Sequence, residues 1–186
     1  MKIVAIVGSL RKESFNMQLA RTIQERYEEK FELVIPNIGE LPHFNQDDEL
    51  DPVPVVKEFK QLVKEADGVM LITPEYNWSI PGVLKNALDW LSRVDKVLTD
   101  KPVMIAGASA GMMGTIRGQL QLRQALTSPG LQARLLPPAG NEILINKAGD
   151  KFDGNRLVDE STLAFLDKAL SDGRPTEHIL NIEIFF

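Results

Sequence analysis

The chain has 186 residues, 44% hydrophobic and 25% charged, the balance of a globular protein with one sizeable core. It has no Cys, which excludes a disulfide framework, a thiolate metal site and a cysteine nucleophile; its two His residues, His43 and His178, are too few and too far apart for a metal cluster. A formal charge of −5, from 21 Lys+Arg against 26 Asp+Glu, argues against a nucleic-acid binder.

So spare a set of reactive side chains favours chemistry borrowed from a bound group. The first apolar run, Ile3 to Val7, is too short for a signal-peptide core or a membrane span, so a cytoplasmic protein without membrane attachment is expected. The same run, rich in β-branched residues, predicts a strand buried on both faces. After a loop from Gly8 to Ser14, apolar residues at Phe15, Leu19, Ile23 and Tyr27 predict a helix. Glu32 to Ile35 reads as a short strand stopped by Pro36, and Asn37 to Pro54 as loop. Val55 to Ala66 has helical period, and Gly68 to Thr73 is the strongest strand. Pro81 suits the first turn of a helix that ends near Arg93. Pro102 to Ala108 then reads as strand, Thr115 to Thr127 as helix, Gln132 to Leu136 as a fifth strand and Leu157 to Leu170 as a last helix. Five strands joined by helical crossovers predict an α/β fold, a doubly wound parallel sheet with helices on both faces. Residues 1–172 form one expected domain, followed by a tail, 173–186, whose apolar end Ile179 to Phe186 has no functional reading beyond docking on a sheet or a partner.

In such a sheet, ligands bind beyond the carboxyl ends of the strands, where the strand order reverses. Three loops there are unusual. The first, Gly8-Ser9-Leu10-Arg11-Lys12-Glu13-Ser14-Phe15-Asn16, runs into a helix N-terminus, where free N–H groups and the helix dipole favour an anion. Ser9, Ser14 and Asn16 add neutral donors and Arg11 a charged fork, a set suited to a terminal phosphate; the plainer alternative is that Ser14 caps the helix and Arg11 is solvated. The loop matches neither Gly-x-Gly-x-x-Gly nor a Walker A sequence and lacks the acidic cluster of a phospho-receiver domain. The second, Thr73-Pro74-Glu75-Tyr76-Asn77-Trp78-Ser79-Ile80-Pro81-Gly82, holds two aromatics between stiffening prolines and makes either a wall for a flat heterocycle or a subunit contact. The third runs from Ala106 to Gly114, with small residues that permit close approach and Ser109 able to bond a ring edge.

The first loop, the Thr73-Pro74-Glu75-Tyr76-Asn77 segment and Leu84-Lys85-Asn86-Ala87-Leu88-Asp89-Trp90, in this order, resemble the NADPH-dependent FMN reductase family, in its chromate, quinone and azo-dye reductase branch. The resemblance runs from Lys2 to about Leu170. It implies a flavodoxin-like sheet of order 2-1-3-4-5, non-covalent FMN, NADPH or NADH as co-substrate, small-molecule electron acceptors, and a homodimer or homotetramer. It implies also that Ser9, Arg11, Ser14, Phe15 and Asn16 hold the FMN phosphate, that Pro74, Glu75, Tyr76 and Asn77 line the ribityl chain and ring, and that Ser109, Ala110 and Gly111 meet the ring's pyrimidine side. No metal and no catalytic side-chain set is implied, since the flavin carries the chemistry. Glu75 is the nearest acid, with orientation of its loop the favoured role over proton donation, and Trp78 stands where it can tune substrate access. The second function weighed is a flavodoxin-like electron carrier reduced by a partner protein. The broad apolar surface of the helix from Gly82 to Arg93 suggests a sheet contact on one side and a second subunit on the other.

Overall fold

A computed structural model describes residues 1–138 and 141–171; the tail considered above lies outside the described residues. The elements are β1 (Lys2–Val7), α1 (Phe15–Arg26), β2 (Glu32–Val34), α2 (Pro54–Glu65), β3 (Gly68–Ile72), α3 (Gly82–Leu91), β4 (Pro102–Ala108), α4 (Ile116–Leu126), β5 (Arg134–Leu135), β6 (Ile143–Ile145), the hairpin strands β7 (Phe152–Asp153) and β8 (Arg156–Leu157), and α5 (Glu160–Ser171). The main sheet is parallel throughout, as the alternating strands and helices predict, and its order β2-β1-β3-β4-β5 is the one the resemblance implies.

Strand residues alternate between two cores because successive Cβ atoms point to opposite faces. Val4, Ile6, Val69, Leu71, Val103 and Ile105 pack beneath α2, α3 and α4. Ile3, Ala5, Val7, Met70, Ile72 and Met104 pack beneath α1 and α5. Both faces are thus apolar, which explains the unbroken hydrophobic runs.

Four local expectations are corrected. The fifth position in the sheet is filled by two short strands. β5 pairs with Pro102 and Val103 at the start of β4, and β6 pairs with Ala106 to Ala108 at its end. Gln132 falls outside β5 because its backbone is left-handed, with φ 47°. Leu157 belongs to β8, opposite Phe152, and α5 begins only after Asp159, whose carboxylate accepts from the Thr162 N–H at 2.9 Å. The segment 37–54 holds two 3-10 turns, each started by an asparagine, Asn37 or Asn45, that accepts from a backbone N–H two residues on.

The second apolar side of α3 is covered by the chain itself, not left for another subunit. Pro42 O accepts from both Asn86 Nδ2 and Trp90 Nε1 at 2.9 Å, and Asn86 Oδ1 accepts from the Phe44 N–H at 2.7 Å. Phe44 sits edge-on to Trp90, centroids 5.0 Å apart. The Asn86 and Trp90 positions of the recognised motif therefore clamp the segment 42–44 onto α3.

On the opposite face, Asp167 of α5 accepts from Arg26 Nε at 2.8 Å, Arg26 Nη2 at 2.6 Å and the Tyr27 hydroxyl at 2.9 Å. The Arg26 bonds first, then that of Tyr27, hold the Asp167 carboxyl below the usual carboxylate range. A carboxyl depressed in the folded state stabilises above its unfolded value near 3.9, and that contribution is lost as pH falls through the folded one. The urea midpoint of the native chain is therefore expected to fall more steeply below about pH 4 than that of Asp167→Asn; parallel profiles would contradict the assignment.

Candidate active site

Backbone bonds bring the three loops together at the carboxyl edge of the sheet. Gly8 N donates to Ile72 O at 2.8 Å, Thr73 N to Ala106 O at 2.9 Å and Ser109 N to Ile145 O at 2.9 Å, so each loop leaves from a strand end pinned to its neighbour. Gly107 permits this convergence: a Cβ there would overlap Thr115 Oγ1 and the Thr73 carbonyl oxygen, so the second loop and the start of α4 press directly on β4.

In the first loop, Ser14 is buried and caps α1, its Oγ accepting from the Met17 N–H at 3.2 Å. The N–H groups of Phe15 and Asn16, in the first turn of α1, donate to no acceptor among the described residues, as a helix start leaves them. Ser9 is buried and its Oγ accepts from the Arg11 N–H at 3.4 Å. Arg11 is exposed; its guanidinium lies 5.2 Å above the Phe15 ring and donates to the Glu13 carbonyl. Phe15 packs on Phe152 with centroids 5.4 Å apart, which anchors the loop to the β7–β8 hairpin.

Asn16 departs from its expected part as a phosphate donor. Its Nδ2 donates to Ala108 O and its Oδ1 accepts from the Ala108 N–H, both at 2.9 Å and both buried. The amide copies a strand rung and ties the first loop to the third.

In the second loop, Tyr76 and Ser79 exchange backbone bonds of 3.0 and 2.9 Å around Asn77 and Trp78, whose φ values are 52° and 64°. Asn tolerates that left-handed backbone, whereas a bulky aromatic there carries strain of about 1–3 kcal/mol. Trp78 is 66% exposed with the Arg117 guanidinium 4.2 Å from its ring centroid, and Tyr76 is also exposed. Pro74 is buried. Glu75 Oε2 accepts from the Gly118 N–H at 2.9 Å, so the carboxylate caps α4 and complements its dipole. That contact supports an orienting part for Glu75. Arg117 and Gly118 were not singled out from sequence; the signal for Gly118 was a glycine in the first turn of an otherwise good helix, the mark of a close approach.

In the third loop, the Ser109 hydroxyl donates to Gly114 O at 2.7 Å and accepts from the Gly111 N–H at 3.2 Å, so it braces the loop from within. Ala110 and Gly111 are exposed, and Gly114 takes φ 61°, which the sharp turn before α4 requires. Among the described residues no group of three His, Asp or Glu could hold a metal ion, and no helix is long and apolar enough to cross a membrane.

Taken together, the edge offers a helix N-terminus with free N–H groups, buried hydroxyls and an exposed guanidinium, next to a stiff aromatic turn and a small-residue loop. This donor set fits a phosphate ester attached to a flat heterocycle, which is the shape of FMN.

Comparison with known proteins agrees. The family model described as NADPH-dependent FMN reductase matches residues 1–147. The chain is 42% identical over 170 residues to the NADH:(hydroxy)cinnamate reductase subunit CrdA of Vibrio ruber, covering 90% of this chain and 83% of that protein. It is 36% identical over 176 residues to a quinone reductase of Escherichia coli, covering 92% of each. The solved structure of FerB, a flavoenzyme NAD(P)H:(acceptor) oxidoreductase of Paracoccus denitrificans, superposes with a TM-score of 0.82 at 31% identity, covering 98% of this chain and 97% of that one. The chain belongs to the NADPH-dependent FMN reductase family and is an oxidoreductase working with FMN and a nicotinamide nucleotide.

Proposed function

We propose that this protein passes electrons from NADPH or NADH, through non-covalently held FMN, to small oxidised acceptors: quinones, azo compounds, free flavin, or metal oxyanions such as chromate. The observation that carries this reading is the convergence of the open start of α1 with the Tyr76–Ser79 turn and the Ala110–Gly111 loop at one sheet edge. When bound, FMN supplies the redox step, taking two electrons from the nucleotide and releasing them to the acceptor. The protein's own residues bind and orient. The N–H groups of Phe15 and Asn16, the hydroxyls of Ser9 and Ser14 and the exposed Arg11 guanidinium would hold the phosphate. Asn16 and Ser109 hold the loops through their internal bonds and Glu75 fixes the second loop on α4, so that Pro74, Tyr76, Asn77, Ala110 and Gly111 would line the ribityl chain and ring. Protons for a reduced quinone come from solvent, because the site edge is open.

Residues 1–172 make up the FMN-binding domain in this reading. Exposed apolar groups near the site, Trp78, Met112, Met113 and Leu120, favour a homodimer or homotetramer, which sedimentation velocity reads directly. We place the protein in the cytoplasm, where reduced nicotinamide nucleotides are regenerated.

Purified protein is expected to be yellow and to bleach anaerobically on adding NADPH or NADH. FMN retention without direct nucleotide oxidation would instead indicate a carrier reduced by a partner. Arg11→Ala is expected to weaken FMN by about 1.5–3 kcal/mol, roughly 10- to 150-fold in the dissociation constant, measured by quenching of flavin fluorescence. Unchanged affinity would move the phosphate away from this loop.

A further inference from the structure

Beside the first loop, on its β2 side, lies a cleft of about 590 Å³ between the flank of α1 and the segment that follows β2. That volume lies within the range of small-ligand sites. Residues 9–12 border it from one side, so it adjoins the start of α1 without being the switch-point edge between β1 and β3.

Two features set it apart from the rest of this acidic surface. Its charged lining is entirely cationic: Arg11, Lys12 and Arg21, with no carboxylate among the lining residues. Lys12 and Arg21 have neither an ion pair nor a hydrogen bond among the described residues, although the chain as a whole carries five more acids than bases. The remaining wall is largely apolar, with Leu10, Met17, Ile35 and Pro36 presenting surface on which a flat ring can lie. Met17, Arg21 and Gln24 share one stripe of α1, at spacings of four and three, so the helix contributes both apolar and charged parts from one face.

Unpaired cations over an apolar floor match a phosphorylated nucleoside better than a bare anion or a neutral aromatic. A phosphomonoester brings about −1.5 to −2 charges at neutral pH, whereas a base supplies the flat apolar surface. We infer that this cleft takes the 2′-phosphorylated adenosine end of NADPH, with Lys12 and Arg21 on the 2′-phosphate and the base against Met17 and Pro36. The inference rests on the oxidoreductase reading for the identity of the ligand, and it makes the chain discriminate in favour of NADPH over NADH.

The test uses the full chain loaded with FMN, and direct binding is read first. Adenosine 2′,5′-bisphosphate is titrated by calorimetry against native protein, Arg21→Ala and the double variant Lys12→Ala/Arg21→Ala, with adenosine 5′-monophosphate and inorganic phosphate as parallel probes. The bisphosphate is expected to bind tightest and to lose about tenfold in affinity in the double variant, with the loss shrinking at high salt. In steady state the KM for NADPH rises by a similar factor in Arg21→Ala, while the KM for NADH, kcat and FMN affinity stay put. Equal changes for the two nucleotides, no change in either, or inorganic phosphate binding as well as the bisphosphate would each overturn the inference. Specific bisphosphate binding in a protein that oxidises neither nucleotide would leave the cleft in place and overturn the oxidoreductase reading instead.

Discussion

Gly107→Ala is expected to cost about 3 kcal/mol of stability or more, the upper end for overpacking a core position. The added methyl would overlap Thr115 Oγ1 and the Thr73 carbonyl oxygen and lie 3.0 Å from Thr115 Cβ. A flexible side chain could yield, but Thr73 O is backbone, and Thr73 N is itself bonded to Ala106 O at 2.9 Å. Combining Gly107→Ala with Thr115→Ala should therefore recover only part of the loss. Urea denaturation of both variants measures this, and complete recovery in the double variant would show that the carbonyl contact does not matter. Since Thr73 opens the second loop, the single variant should also lose FMN affinity in whatever fraction remains folded.

Asn16→Ala carries the second largest effect. It strips the buried Ala108 N–H and C=O of their partners at once. Each unsatisfied buried group costs about 1–3 kcal/mol, so roughly 3 kcal/mol is expected in the denaturation midpoint. Asn16→Asp separates packing from bonding. Its carboxylate still accepts from the Ala108 N–H but faces the Ala108 carbonyl with a charge and no donor, so this variant should regain stability as pH falls and the carboxyl protonates. A pH-independent Asp variant, or an Ala variant as stable as the native chain, would remove Asn16 from the role of brace.

These two positions also show where sequence reasoning reaches its limit. Continuous apolar runs located β1, β3 and β4, and β4 was bounded to the residue at Pro102–Ala108, because strands buried on both faces cannot carry polar positions. The loops at the sheet edge were legible for a related reason: their Ser, Arg, Pro and Gly clusters interrupt that pattern. Partnership over long separations was not. Asn16 looks like a donor beside a helix start, and nothing local says that its amide will meet Ala108, 92 positions away. Trp90 shows the same limit, since an apolar helix side reads alike whether a second subunit or Pro42 and Phe44 cover it. β6 escaped because Ile143–Ile145 is too short to show a period and comes soon after the pair Pro137-Pro138, whose neighbourhood reads as loop.

The divided fifth strand has a consequence for the order in which the protein is made. The carboxyl half of β4 takes its outer partner from Ile143 to Ile145, and Ser109 leans on Ile145 and Ala148 as well. A chain emerging from the ribosome can assemble β1, β3 and β4 through their helical crossovers before those residues leave the ribosome. Until they arrive, the carboxyl end of β4 is an open edge, with unpaired backbone groups able to recruit another strand. Stalled or clipped chains ending before Ile143 should thus keep much of the fold yet be colourless and prone to self-association, and early access to FMN would not rescue them.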